Sequence, residues 1–235
     1  MRIAYILLVF LLHNAGRAAA QVDLGPGAQL DFPMMFNKNV GSYHHSLGAV
    51  GVRVNTKFYL RNNTFYPSLT LHATGIKVPV VKLGNTVVNM LFAQVNVTAG
   101  ANIRKVFDNH RELHYGLGIG ISYLDAYAFE LNETAAAKAM SYSVDAASHI
   151  TRIIPAVTPQ VEYIFPISQE KPLYVGIGGQ IQYTYFYDDG SKYTVQVLDA
   201  AGQYQKLDAA LLGSMINPGA QLSVYYRFGK NRSDY

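Results

Sequence analysis

Residues Glu112–Leu124 read ELHYGLGIGISYL. On an extended chain Leu113, Tyr115, Leu117, Ile119, Ile121 and Tyr123 share one face, while His114, Gly116, Gly118, Gly120 and Ser122 share the other. A period of two is the signature of a β-strand whose faces meet different surroundings. A strand face turned to bulk water is normally rich in Lys, Glu and Arg. This one carries glycine, serine and histidine. Small uncharged side chains suit the interior of a narrow barrel, so the apolar face is expected to point outward.

The same alternation recurs along the chain. Residues 173–187 set Leu173, Val175, Ile177, Ile181, Tyr183, Tyr185 and Tyr187 against Gly176, Gly178, Gln180, Gln182 and Thr184. Residues 216–228 set Ile216, Leu222, Val224, Tyr226 and Phe228 against Asn217, Gly219, Gln221, Ser223, Tyr225 and Arg227. Residues 50–60 and 68–74 follow suit, and 28–36, 86–98 and 153–165 complete the set with weaker patterns. The front half of 86–98 has no clear phase. Eight strands of this kind predict an all-β fold, an eight-stranded antiparallel up-and-down transmembrane β-barrel.

Aromatic residues cluster at the strand ends. Phe58, Phe65, Tyr163, Phe165, Tyr226 and Phe228 are expected at one level, Tyr123, Tyr183, Tyr185 and Tyr187 at the other. Such girdles favour headgroup depth in outer-membrane barrels. With both termini on one side, short turns are expected at Arg61–Thr64 and Pro166–Pro172 and a longer one at Ala99–Arg111. The opposite side would carry loops 37–45, 77–85, 125–152 and 188–214. Asn132–Met140 is the one helix-friendly stretch. Pro155 and Pro159 conflict with a closed ladder, so that strand is expected to bulge or to project above the bilayer.

Composition agrees with a chain whose solvent is only partly water. Of 235 residues, 50% are apolar and only 14% charged, against roughly 25% charged in ordinary domains. There is no Cys, which excludes disulfides, thiolate metal sites and a cysteine nucleophile. A formal charge of +4 without any basic stripe excludes a nucleic-acid partner. Residues 1–20, MRIAYILLVFLLHNAGRAAA, have the short basic start, apolar run and small-residue end of a secretory signal peptide. Cleavage is expected after Ala20, leaving a barrel domain over 21–235.

The signal peptide, the tight turn at Phe165–Pro172 and the ending Gln221-Leu-Ser-Val-Tyr-Tyr-Arg-Phe228 together resemble the small eight-stranded bacterial outer-membrane barrels of the OmpA/OmpX-like group. The stretch around NPGAQLSVYYRFGK is similar to Bacteroidetes-type outer-membrane β-barrel proteins. The resemblance implies residence in the outer membrane, contact with its lipid, and recognition of Gln221–Phe228 by the barrel-assembly machinery. The tail Gly229–Tyr235 departs from the pattern, in which the aromatic is commonly last.

Chemistry is sparse. By phase Arg53, Lys57, His72, His114, Glu162, Gln180 and Arg227 point into the lumen. An ion-paired structural network is the expectation, because buried charges must be paired; a gated pore or proton path is the alternative. His44 and Ser46 have the two-residue spacing of the Ser and His of barrel-embedded lipid A deacylases. That makes an esterase conceivable, but Leu47 stands where that family has Asn. His44 and His45 alone are too few to hold a metal. The glycines at 116, 118 and 120 are explained by alternation without a dinucleotide. No cofactor is expected. The role expected is structural or adhesive, through a surface ligand at loops 125–152 and 188–214, with a soluble lipocalin-like carrier as a further alternative.

Overall fold

A computed structural model describes residues 21–37, 42–45, 48–59, 64–83, 86–107, 109–132, 142–144, 151–168, 171–187, 193–198, 203–209 and 212–229. The segment 1–20, Ser46 and residues 133–140 therefore lie outside the described residues.

Eight strands form the wall: β1 (Gln21–Asp31), β4 (Ala49–Tyr59), β5 (Phe65–Leu83), β6 (Thr86–Val106), β7 (Glu112–Asn132), β9 (Thr151–Pro166), β10 (Leu173–Phe186) and β13 (Gly213–Phe228). Each pairs antiparallel with the next in chain order, and β1 returns to β13 to close the cylinder. The short strands β2 (Met34–Asn37) and β3 (Ser42–His45) extend the sheet beyond the upper end of β13. A separate sheet of β8 (Tyr142–Val144), β11 (Tyr193–Leu198) and β12 (Tyr204–Ala209) forms from the two long loops. The fold is all-β and up-and-down, with no helix among the described residues.

Orientation follows the alternation. Leu117 is 52% exposed on the outside, Ile119 65%, Ile177 54% and Val224 44%. Gln182, Ser122, Asn96, Gln221 and Ser223 are buried within. This is the reverse of an apolar-centred, lipocalin-like carrier. The aromatics expected near the ends are largely on the outer surface, Tyr123, Tyr183, Tyr185 and Tyr187 at one end and Phe65, Tyr226 and Phe228 at the other. Phe58 is the exception: although its phase is outward, it is buried.

Several boundaries differ from expectation. The first wall strand begins at Gln21 rather than at 28, since Gly25, Pro26 and Gly27 stay extended opposite β4. The turn expected at Ala99–Arg111 shrinks to the residues between Val106 and Glu112. The small residues Ala99–Ala101 continue the strand, and Asn102 and Arg104 keep its inward phase. Most of the loop expected at 77–85 is instead the tip of the β5–β6 hairpin, which continues to the pair Leu83↔Thr86. Part of loop 37–45 is β3.

The prolines of β9 produce no bulge. Pro155 and Pro159 sit opposite Ile121 and Leu117 in unbroken register with β7. Towards β10 the pairing lapses between Gln180↔Gln160 and Tyr183↔Val157, and it ends at Thr184↔Ala156. An antiparallel residue directs its N–H and C=O to one neighbour only, so the missing donors fall on the β10 side and leave the β7 ladder whole. Pro26 does the same at the closing seam, where pairing lapses between Leu24↔Tyr226 and Gly27↔Ser223.

Candidate functional site

The lumen is filled, and its contents change along the axis. At the end holding both termini lies an ionic cluster. Asp23 and Arg227 are directly opposite across the closing seam. The Arg227 guanidinium donates from Nε to Asp23 Oδ1 and from Nη2 to Asp23 Oδ2, both at 2.8 Å. It also donates from Nη1 to Glu112 Oε1 at 2.7 Å and from Nη2 to Glu112 Oε2 at 3.0 Å. Its flat face lies 4.0 Å from the Tyr174 ring centroid. A planar guanidinium can serve two carboxylates at once in this way, which a lysine cannot.

Around that pair the remaining groups are tied in turn. Arg104 donates to Glu112 Oε1, Tyr59 donates its hydroxyl to Asp23 Oδ2 at 2.9 Å, and His114 Nε2 lies 2.8 Å from Glu112 Oε2. The other ring nitrogen of His114 is 2.5 Å from the Tyr66 hydroxyl. A second knot joins Lys57 Nζ to Glu162 Oε2 at 2.5 Å, with the ammonium 4.1 Å above the Tyr225 ring. Tyr225 donates its hydroxyl to Glu162 Oε1 at 2.8 Å and accepts from Asn55 Nδ2 at 3.3 Å. The three carboxylates Asp23, Glu112 and Glu162 thus meet the three cations Lys57, Arg104 and Arg227, so the buried charge balances.

Glycine makes room for this packing. A Cβ on Gly25 would lie 2.2 Å from two carbons of the Tyr225 ring, and one on Gly176 2.4 Å from Glu162 Oε1 and 2.8 Å from Tyr225 Cε2. The large ring fits across the narrow lumen because both neighbouring strands present no side chain to it.

The middle of the lumen is neutral. Asn96 is its hub: Oδ1 accepts from Gln94 Nε2 at 3.1 Å, from Gln182 Nε2 at 2.8 Å and from the Ser122 hydroxyl, while Nδ2 lies 3.2 Å from His72 Nδ1. His72 Nε2 approaches Asp31 Oδ2 to 3.1 Å. Arg53 Nη1 donates to Gln29 Oε1 at 3.0 Å and reaches Gln180 Oε1 at 3.5 Å, and Gln29 passes the contact on to Asp31 Oδ1. A cavity of about 10 Å³, lined by Thr70, His72, Asn96, Thr98, Thr158, Gln160, Gln180 and Gln182, holds room for about one water.

Above this level the inward chemistry inverts. Met35, Ile76, Val78, Met90, Phe92, Leu124, Ile154, Phe186 and Met215 are all buried. Register places them at one rim: Ile76 faces Phe92, Leu124 faces Gln94, Ile154 faces Ser122 and Met215 faces Thr184. Each marks the step at which its strand passes from a polar to an apolar inward residue.

The seven lumen residues named from sequence all point inward, but to two different places. Lys57, His114, Glu162 and Arg227 join the ionic end; Arg53, His72 and Gln180 belong to the middle. Asp23, Glu112, Arg104, Tyr59 and Tyr66 are the partners that sequence reasoning missed. Inward phase at strand ends was the available signal. His44 is in β3 opposite Met35, and Ser46 lies outside the described residues, so no Ser–His pair is placed. Among the described residues no cluster of His, Asp or Glu has a metal-holding arrangement.

No family model matches the sequence, and no curated protein matches it. Solved structures do. Ail of Yersinia pestis is 11% identical with a TM-score of 0.45, covering 88% of this chain and 98% of Ail. Neisserial surface protein A is 10% identical with a TM-score of 0.44, covering 87% and 97%. OprG of Pseudomonas aeruginosa is 9% identical with a TM-score of 0.47, covering 92% and 99%. With TM-scores below 0.5, these similarities carry no weight beyond the barrel that the strand register already defines.

Proposed function

We propose that the chain is an integral outer-membrane protein whose closed barrel anchors surface loops and does not conduct. The observation that carries this reading is the inversion of lumen chemistry. Below the rim the barrel is polar inside and apolar outside, which suits lipid; above it the interior becomes apolar, as in a protein standing in water. Strand length agrees. About 9–11 residues cross a bilayer, whereas β5 has 19 and β6 and β7 have 21 each, so this wall rises well beyond the hydrocarbon. Its continuation, with the small sheet drawn from loops 125–152 and 188–214, is the part available to a ligand on the cell surface.

Export by the segment 1–20 and insertion through recognition of Gln221–Phe228 belong to the same proposal. Cell fractionation with heat-modifiable gel migration tests it. The protein is expected in the outer-membrane pellet and to run faster unboiled than boiled. Recovery in a soluble fraction would defeat it. Removing residues 188–214 should then abolish surface binding while leaving the heat-modifiable barrel intact.

A further inference from the structure

We propose that the outer surface at the terminus-bearing end of the barrel is a binding site for anionic phospholipid headgroups. The inference rests on the membrane reading above and adds a named partner. It begins from a separation of charge. Every described carboxylate at this end, Asp23, Glu112 and Glu162, is buried in the lumen and held by a cation. The exposed charges here, among the described residues, are Lys105, Arg111 and Lys171, all positive. The exterior is therefore basic even though the lumen is balanced.

Strand phase explains the sorting. Arg104 points inward to Glu112, so Lys105 must point outward. Its ammonium lies 5.6 Å from the Phe107 ring centroid, Phe107 lies 6.4 Å from Tyr163, and Tyr163 6.4 Å from Phe165. This row of rings joins the β6–β7 turn to β9, whose following turn carries Lys171. Arg111 closes the first turn, its carbonyl accepting from Phe107 N–H at 2.8 Å. Aromatic rings mark the depth where hydrocarbon gives way to headgroups, and a cation held at that depth meets lipid phosphates. A zwitterionic lipid brings its own ammonium to compete; a net anionic lipid does not.

The test uses the full-length protein in nanodiscs of equal parts phosphatidylglycerol and phosphatidylcholine. Lipids retained after detergent extraction are counted by native mass spectrometry. Phosphatidylglycerol should be enriched at least about fivefold, the attraction of roughly one surface cation. Enrichment should vanish in the triple variant Lys105→Gln, Arg111→Gln, Lys171→Gln and persist in Lys206→Gln, an exposed lysine on β12 at the loop end. Equal retention of both lipids by the wild type, or unchanged enrichment in the triple variant, overturns the proposal. So does binding to purified cell-wall sacculi that the triple variant loses while its lipid preference stays the same. A protein that never enters the nanodisc refutes the membrane reading itself, whereas an inserted barrel indifferent to headgroup refutes this inference alone.

Discussion

The two ends of the lumen are closed by opposite chemistry. At the terminus end three acids and three bases lock together around Arg227, in contacts that demand geometry. At the loop end Phe92, Leu124, Ile154, Phe186 and Met215 close the lumen by exclusion of water, which demands only volume. The difference follows from what surrounds each end. Charges inside the lipid-facing section need partners of their own, because no bulk water lies nearby. Side chains inside the section above the lipid can be apolar, because there the outside is wet and the ordinary inside-out logic of a water-borne protein returns.

Each end can be broken separately. The largest effect is expected from Arg227→Met combined with Leu124→Ala. The sites are far apart, so their costs should add to within a few tenths of a kcal/mol, and only this double variant should pass ions in planar-bilayer recordings. Conduction by the unaltered protein would refute the two-seal description. Arg227→Met alone strands Asp23 and Glu112 and should cost about 3–5 kcal/mol in urea unfolding. Neutralising both acids in the same chain, with Asp23→Asn and Glu112→Gln, should recover much of that loss. Leu124→Ala alone should cost about 2–3 kcal/mol, without a charge-based rescue. Smallest is Gly176→Ala, at about 1–2 kcal/mol, read as a drop in the temperature at which the folded gel band disappears. Its companion Tyr225→Phe should relieve little of the loss, because the ring rather than the hydroxyl occupies the space.

How much of this could be read from the chain follows the same division. Alternation was plain wherever the two faces differed, and it placed Lys57, Glu162 and Arg227 inside before any coordinates. It faded above the rim. Met90 and Phe92 are inward and apolar, and their neighbours are apolar as well, so the front half of 86–98 shows no phase. The loop-end closure was invisible for that reason. Asp23 was missed differently: Leu-Gly-Pro-Gly after it looks like a turn, and only pairing with β4 and β13 holds it extended. Phase says which way a side chain points, but not which of several inward charges will meet. That depends on the stagger of strands around the cylinder, which sets Arg227 beside Glu112 across 115 positions of sequence.

Asp23 and Arg227 stand opposite each other on the first and last strands of the wall. Nothing made earlier in synthesis can substitute for that handshake. A chain arrested before its final segment keeps two unmatched acids at its mouth, and the mismatch disappears only when the ring is joined. Electroneutrality thus serves as a built-in mark of completeness, distinguishing a finished cylinder from one still waiting for its last stave.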